Sequence, residues 1–254
     1  LRFTRRPRTL DRARLRRAVG PMSDRRPMRV LVVYYQGDYV ERKTVDEHLY
    51  SFRRYAEPGC SIYYLNAFLG VPGWITRVSF DLVIYHYAFV GMKWMRREFP
   101  EFLAGCEPLR RVSGHKMAIH QDEYVNSDLV NAFLHDFGVK TMVTCLVESE
   151  WEKVYPRARS GLEHFITVAP GYVDEEALAW IQTLPAAPRT IDIGYRARNV
   201  PYWLGRHGTL KGEVAVQFKK VRGTDGLKID ISTEYKDVFY GDEWYRFLLR
   251  CRTV

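Results

Sequence analysis

The stretch Ile191-Asp-Ile-Gly-Tyr-Arg-Ala-Arg198, continued by Asn-Val-Pro-Tyr-Trp-Leu-Gly-Arg206-His-Gly-Thr-Leu-Lys211-Gly212, decides how the chain is built. It reads as a short buried strand that runs into an arginine-bearing loop and then a helix. A complete alternation of strands and helices has already ended before it. A second sheet therefore begins here.

Upstream, Met28-Arg-Val-Leu-Val-Val-Tyr-Tyr35 is a nearly continuous apolar run, as expected of a strand buried on both faces of a parallel sheet. Val45, Leu49, Phe52 and Tyr55 then place an apolar stripe on a helix, with Thr44 and Glu47 spaced as a capping box. Further strands are predicted at 61–67, 81–87, 116–120, 141–146 and 164–169, with helices near 93–104, 126–137 and 174–184. This pattern predicts a doubly wound, Rossmann-like parallel sheet with right-handed crossovers over residues 28–184. Pro185-Ala-Ala-Pro188 reads as a stiff hinge. After it, strands at 190–195 and 227–231 and helices at about 210–221 and 240–250 open a second Rossmann-like domain, 189–254. Two strands and two helices leave apolar faces uncovered, so this second domain is expected to be incomplete and the chain to be the front portion of a longer protein.

A chain of 254 residues with 46% hydrophobic content can bury a sizeable core. Its net charge of +9 suggests a polyanion partner, but ten arginines and two aspartates in residues 1–27 carry almost all of it. That leader has no long apolar core and is neither a secretory signal nor a membrane span. It is expected to be disordered. It is either a functionless extension or a tail that contacts acidic lipid headgroups, and nucleic acid is not expected as a partner. Cys60, Cys106, Cys145 and Cys251 are widely spaced and suit free thiols in a reducing cytoplasm. No cluster has metal-ligand spacing, and the absence of G-x-G-x-x-G argues against a dinucleotide cofactor.

Ligands of open α/β sheets collect beyond the carboxyl ends of the strands. His120-Gln121-Asp122-Glu123-Tyr124 follows the fourth strand and offers a base, an amide and two carboxylates. Asp122 is the first candidate for a general base and His120 the second. The alternatives are a helix cap for Asp122 and a packed strand end for His120. Gly37, after the first strand, and His86, after the third, share that edge. Arg196, Arg198, Arg206 and Lys211 form a cationic group suited to a diphosphate, guanidinium geometry matching two oxygens at once.

The segments Thr44–Tyr50, His120–Tyr124, Ile193–Arg196 and Tyr240–Phe247 resemble a bacterial GT-B type glycosyltransferase family of polysaccharide biosynthesis. The resemblance implies two Rossmann-like domains with a cleft between them and transfer of a sugar from a nucleotide-activated donor to a glycan or lipid-linked acceptor. No Asp-x-Asp site is seen, so no metal is expected, and the location is expected to be cytoplasmic, or peripheral at the inner membrane face if the leader contacts lipid. Asp122 and His120 would be catalytic, and Arg196, Arg198, Arg206 and Lys211 would bind the donor. Gly37, His86, Gln121 and Glu123 would line the acceptor side, and the segment alone would be inactive. Gly205-Arg206 and Lys211-Gly212 match the family's diphosphate grip in residue type, but lie about ten residues beyond the strand. The other reading is a noncatalytic Rossmann-like module that binds a nucleotide or a partner protein.

Overall fold

In the computed structural model of the chain, residues 27–37, 43–169, 171, 175–185, 188–218, 220–221 and 226–254 are described. Nearly all of the basic leader and the middle of the expected hinge lie outside them. The fold is Rossmann-like α/β. Six strands, β1 (Arg29–Tyr34), β2 (Ser61–Asn66), β3 (Leu82–Tyr85), β4 (His115–Ile119), β5 (Thr141–Thr144) and β6 (His164–Thr167), form one sheet in the order β2-β1-β3-β4-β5-β6. All five pairings are parallel.

The helices between them are α1 (Lys43–Tyr55), α2 (Tyr87–Val90), α3 (Phe99–Gly105), α4 (Ser127–Asp136), α5 (Glu148–Val154) and α6 (Arg157–Ser160). Strand β1 buries Val30, Leu31, Val32 and Val33, as its unbroken apolar run requires. Against the sheet, Val130, Phe133 and Leu134 of α4 pack into a core that includes Tyr85, Phe89 and Phe137. The Tyr85 and Phe133 rings meet edge to face at 5.2 Å, a favoured aromatic geometry. Thr44 lies inside α1, whose first described residue is Lys43, so it does not precede the first turn as a capping box would need.

Lys116 on β4 reads in the sequence as an ordinary strand residue, yet it is buried. Its ammonium donates to the carbonyls of Leu109 (3.0 Å), Arg110 (2.7 Å) and Phe137 (2.9 Å). These close the turn Glu107–Arg110 and the end of α4, where helical carbonyls lack partners.

Three further strands, β7 (Ile191–Arg196), β8 (Ile229–Ser232) and β9 (Cys251–Thr253), form a separate parallel sheet ordered β8-β7-β9. With them go α7 (Glu175–Thr183), α8 (Gly205–Phe218) and α9 (Asp242–Arg250). The sequence pattern predicts two strands here; β9 is three residues long and only Cys251 of it is buried, too little for a pattern. The last helix, expected from about residue 240, starts at Asp242 with Gly241 before it. Helix α8 starts at Gly205, five residues before the expected start, because Gly205, Gly208 and Gly212 lower the helical signal of its first turns.

The chain divides into two compact units. The first takes the described residues up to Gly37 with Ser51–Val168, and the second takes those of 38–50 with 169–254. Helix α7 thus falls in the second unit, although the sequence reading ran the first domain to residue 184. The Trp180 ring of α7 meets Tyr245 of α9 at 5.2 Å. In the second core, Phe247 and Cys251 press against β7 at Gly194, where an added Cβ would stand 2.4 Å from the Cys251 sulfur and 2.8 Å from the Phe247 ring. Only glycine admits that approach. Among the described residues no helix is long and apolar enough to cross a membrane.

Candidate functional site

The order β2-β1-β3 puts the topological switch point of the first sheet between the carboxyl ends of β1 and β3. Gly37 and His86 stand there, as the sequence suggested. Next to Gly37, the Gln36 backbone is held by Asn66, which accepts from its N–H at 3.0 Å and donates to its carbonyl at 2.9 Å. His86 is fully buried and caps α2, its Nδ1 accepting from the Ala88 N–H at 3.1 Å. A capping, buried imidazole does not line an acceptor surface, so that expectation is corrected.

At the carboxyl ends of β4 and β5 lies a polar cluster inside the protein. Lys93, His120, Glu123, Thr144 and Tyr155 are all buried. The Lys93 ammonium donates to His120 Nε2, to the Gln121 carbonyl (2.7 Å) and to the Asp122 carbonyl (2.6 Å). An ammonium only donates, so Nε2 is the acceptor and the imidazole proton sits on Nδ1, facing the Tyr155 hydroxyl. Tyr155 passes its own proton toward Glu123 Oε2 at 2.5 Å. Glu123 also accepts from the Thr144 hydroxyl (2.6 Å) and the Cys145 N–H (2.9 Å). The result is one directed chain from a cation to an anion, with every member satisfied.

The electrostatics follow from burial. His120 is held neutral, its pKa pushed well below the ordinary value by burial and then by the Lys93 charge. Burial brings Lys93 down to about 8, against the pull of Asp122 and Glu123. Burial and then the Glu123 carboxylate push the Tyr155 phenol up. With both ring nitrogens engaged and the ring buried, His120 does not act as a free base, and Glu123 presents no carboxylate to an acceptor. Both expectations are corrected for the same reason: their polar atoms are consumed within the fold.

Asp122 differs. It is half-buried, and its φ of 54° places it in the left-handed region, as does the 48° of Asn126. No cap is made by Asp122, since Asn126 is the residue that precedes α4. Burial and then the Asp122 carboxylate raise the pKa of the exposed Tyr124 phenol. Gln121 is exposed beside them. Of the sequence candidates on this edge, Asp122 and Gln121 are the two that solvent reaches in company with a phenol.

On the second sheet, Arg196 is not the free cation expected. Its guanidinium donates to the carbonyls of Asp237 (3.2 Å), Tyr195 (3.0 Å) and Asp230 (2.9 Å) and to the Asp230 carboxylate (2.7 Å). It also lies over the rings of Phe239 (5.0 Å) and Phe247 (4.5 Å). With four of five N–H groups engaged, it ties β7 to β8 and α9 in place of a diphosphate. Arg196→Ala is therefore expected to cost the second unit about 2 to 4 kcal/mol, from orphaned carbonyls and the lost cation–π contacts. Urea denaturation checks this, and a shift under about 1 kcal/mol would contradict it.

Arg198, Arg206 and Lys211 are exposed. Arg198 follows β7, while Arg206 and Lys211 lie in the first two turns of α8. Between the loop after β7, helix α8 and the end of β8 is a cavity of about 280 Å³ whose lining includes Asn199, Thr209, Glu213, Gln217 and Thr233, with none of these cations.

The chain matches no family model, no curated protein and no solved structure. Residues that sequence reasoning missed are Lys93, Thr144 and Tyr155. Lys93 sits in the apolar stretch Tyr87–Met95, the one local sign that it is not an ordinary surface lysine.

Proposed function

We propose that the chain belongs to a GT-B type glycosyltransferase, which moves a sugar from a nucleotide-activated donor to a glycan or lipid-linked acceptor in cell-surface polysaccharide assembly on the cytoplasmic side. In this reading Asp122 takes the acceptor hydroxyl proton as that oxygen bonds the anomeric carbon. The bond from that carbon to the diphosphate breaks, and the diphosphate leaves with its electron pair. The exposed cations Arg198, Arg206 and Lys211 meet its charge. The observation that supports the reading best is Asp122 itself, a half-buried carboxylate held in a left-handed turn at the carboxyl edge of a parallel sheet. Its company in the chain, a second parallel sheet whose strand-loop-helix unit carries exposed cations, agrees with it.

A noncatalytic nucleotide- or partner-binding module is the second reading, favoured by the self-satisfied cluster around Glu123 and the internal engagement of Arg196. Calorimetric titration of the intact protein with a panel of nucleoside diphosphates tests the first. One-to-one binding, weakened about tenfold or more by Arg206→Ala, is expected from the loss of a charge-assisted hydrogen bond. No binding of any nucleoside diphosphate would favour a protein-binding module.

A further inference from the structure

We propose that Lys93 is a positioning residue whose ammonium locks the 120–126 loop in the conformation that presents Asp122, and that loss of its proton releases that lock without unfolding the chain. This rests on the reading of Asp122 as the base. The geometry carries it. An ammonium has three protons, and Lys93 spends all three, on His120 Nε2, the Gln121 carbonyl and the Asp122 carbonyl. A second strap joins the two loops, the Asn126 side chain donating to the Lys93 carbonyl at 2.8 Å. Two residues of that loop, Asp122 and Asn126, hold positive φ, a conformation that such contacts must sustain.

A neutral amine has two protons and one lone pair, so it cannot serve all three acceptors. Either a loop carbonyl loses its donor, or His120 reverses and donates through Nε2 to the amine. In the second case Nδ1 must accept from Tyr155, and Tyr155 has one proton. Glu123 then loses the donor now 2.5 Å away. The first route frees the loop at a carbonyl, and the second removes one of the bonds that hold Glu123 within it.

The charged groups near Lys93 are Asp122 and Glu123, which favour its charge, and the titratable His120 beside it is neutral. Cys145 lies beyond Glu123, and Arg96, paired with Asp128, bonds Asn126 at 2.8 Å. Burial outweighs the carboxylates and brings Lys93 to about 8. The sign is that of a base depressed by folding. Between about 8 and its unfolded value the unfolded chain binds the extra proton, so rising pH favours the folded state through this group. The release is local.

Carbon-detected NMR of the chain follows the Gln121 and Asp122 carbonyl resonances from pH 6.5 to 9.5. They should shift together with a midpoint of about 8 and show none in Lys93→Met. Because that variant leaves Glu123 without its cation, Lys93→Met with Glu123→Gln gives the same reading in a charge-balanced cluster. Carbonyls flat in the native chain, or a midpoint that survives in both variants, would overturn the lock. Donor transfer by the intact protein should also be about tenfold lower at pH 9 than at pH 7. Titrating carbonyls without any transfer activity would leave the lock standing and sink the glycosyltransferase reading; transfer with flat carbonyls would do the reverse.

Discussion

Glu123→Ala should lower the stability of the first unit by about 3 to 5 kcal/mol, because three donors that bond one buried carboxylate are orphaned at about 1 to 3 kcal/mol each. Thr144, Tyr155 and the Cys145 N–H lose their shared acceptor, and the buried Lys93 keeps Asp122 but loses the second carboxylate that favours its charge. Glu123→Gln should cost less, about 1 to 3 kcal/mol, since the amide oxygen still accepts while its NH₂ confronts the Tyr155 hydroxyl. Urea denaturation of the three proteins, compared at constant m value, separates these outcomes. A loss below about 1 kcal/mol for Glu123→Ala would mean that water reaches the cluster and that the chain from Lys93 to Glu123 is not closed.

On the proposed reading, Asp122→Asn should reduce sugar transfer by about a hundredfold or more while leaving donor affinity nearly unchanged, because it removes proton acceptance together with a charge that favours the Lys93 ammonium. Asparagine suits the test for a structural reason. Asn tolerates the left-handed region about as well as Asp, so the φ of 54° is kept and the Asp122 carbonyl still meets Lys93. Asp122→Ala would mix lost chemistry with backbone strain. Equal loss of turnover and of donor affinity in Asp122→Asn would assign the carboxylate to binding.

The strands that bury both faces were legible, since Val30–Val33 and Val83–Tyr85 write their burial into unbroken apolar runs. Helices α5 and α6 were not, being short and rich in charged residues, and α5 buries no side chain fully. Around the candidate site, position was readable and environment was not. Asp122 and His120 fall at a strand's carboxyl end by counting, but whether each is open or consumed depends on Lys93 and Tyr155, 27 and 35 residues from His120. Lysine and arginine misled in the same way. Lys93, Lys116 and Arg196 look like solvated charges in a sequence, and each is instead tied to backbone carbonyls that the fold leaves without partners.

If this edge of the first sheet removes a proton during sugar transfer, release of nucleoside diphosphate from a sugar nucleotide reports it. Native and Asp122→Asn forms of the intact protein are compared with acceptor present, over a panel of donors. Acceptor-dependent release by the native protein is expected with at least one donor, and about a hundredfold less by Asp122→Asn. Equal rates in the two proteins, with both forms folded and binding the donor alike, would contradict it.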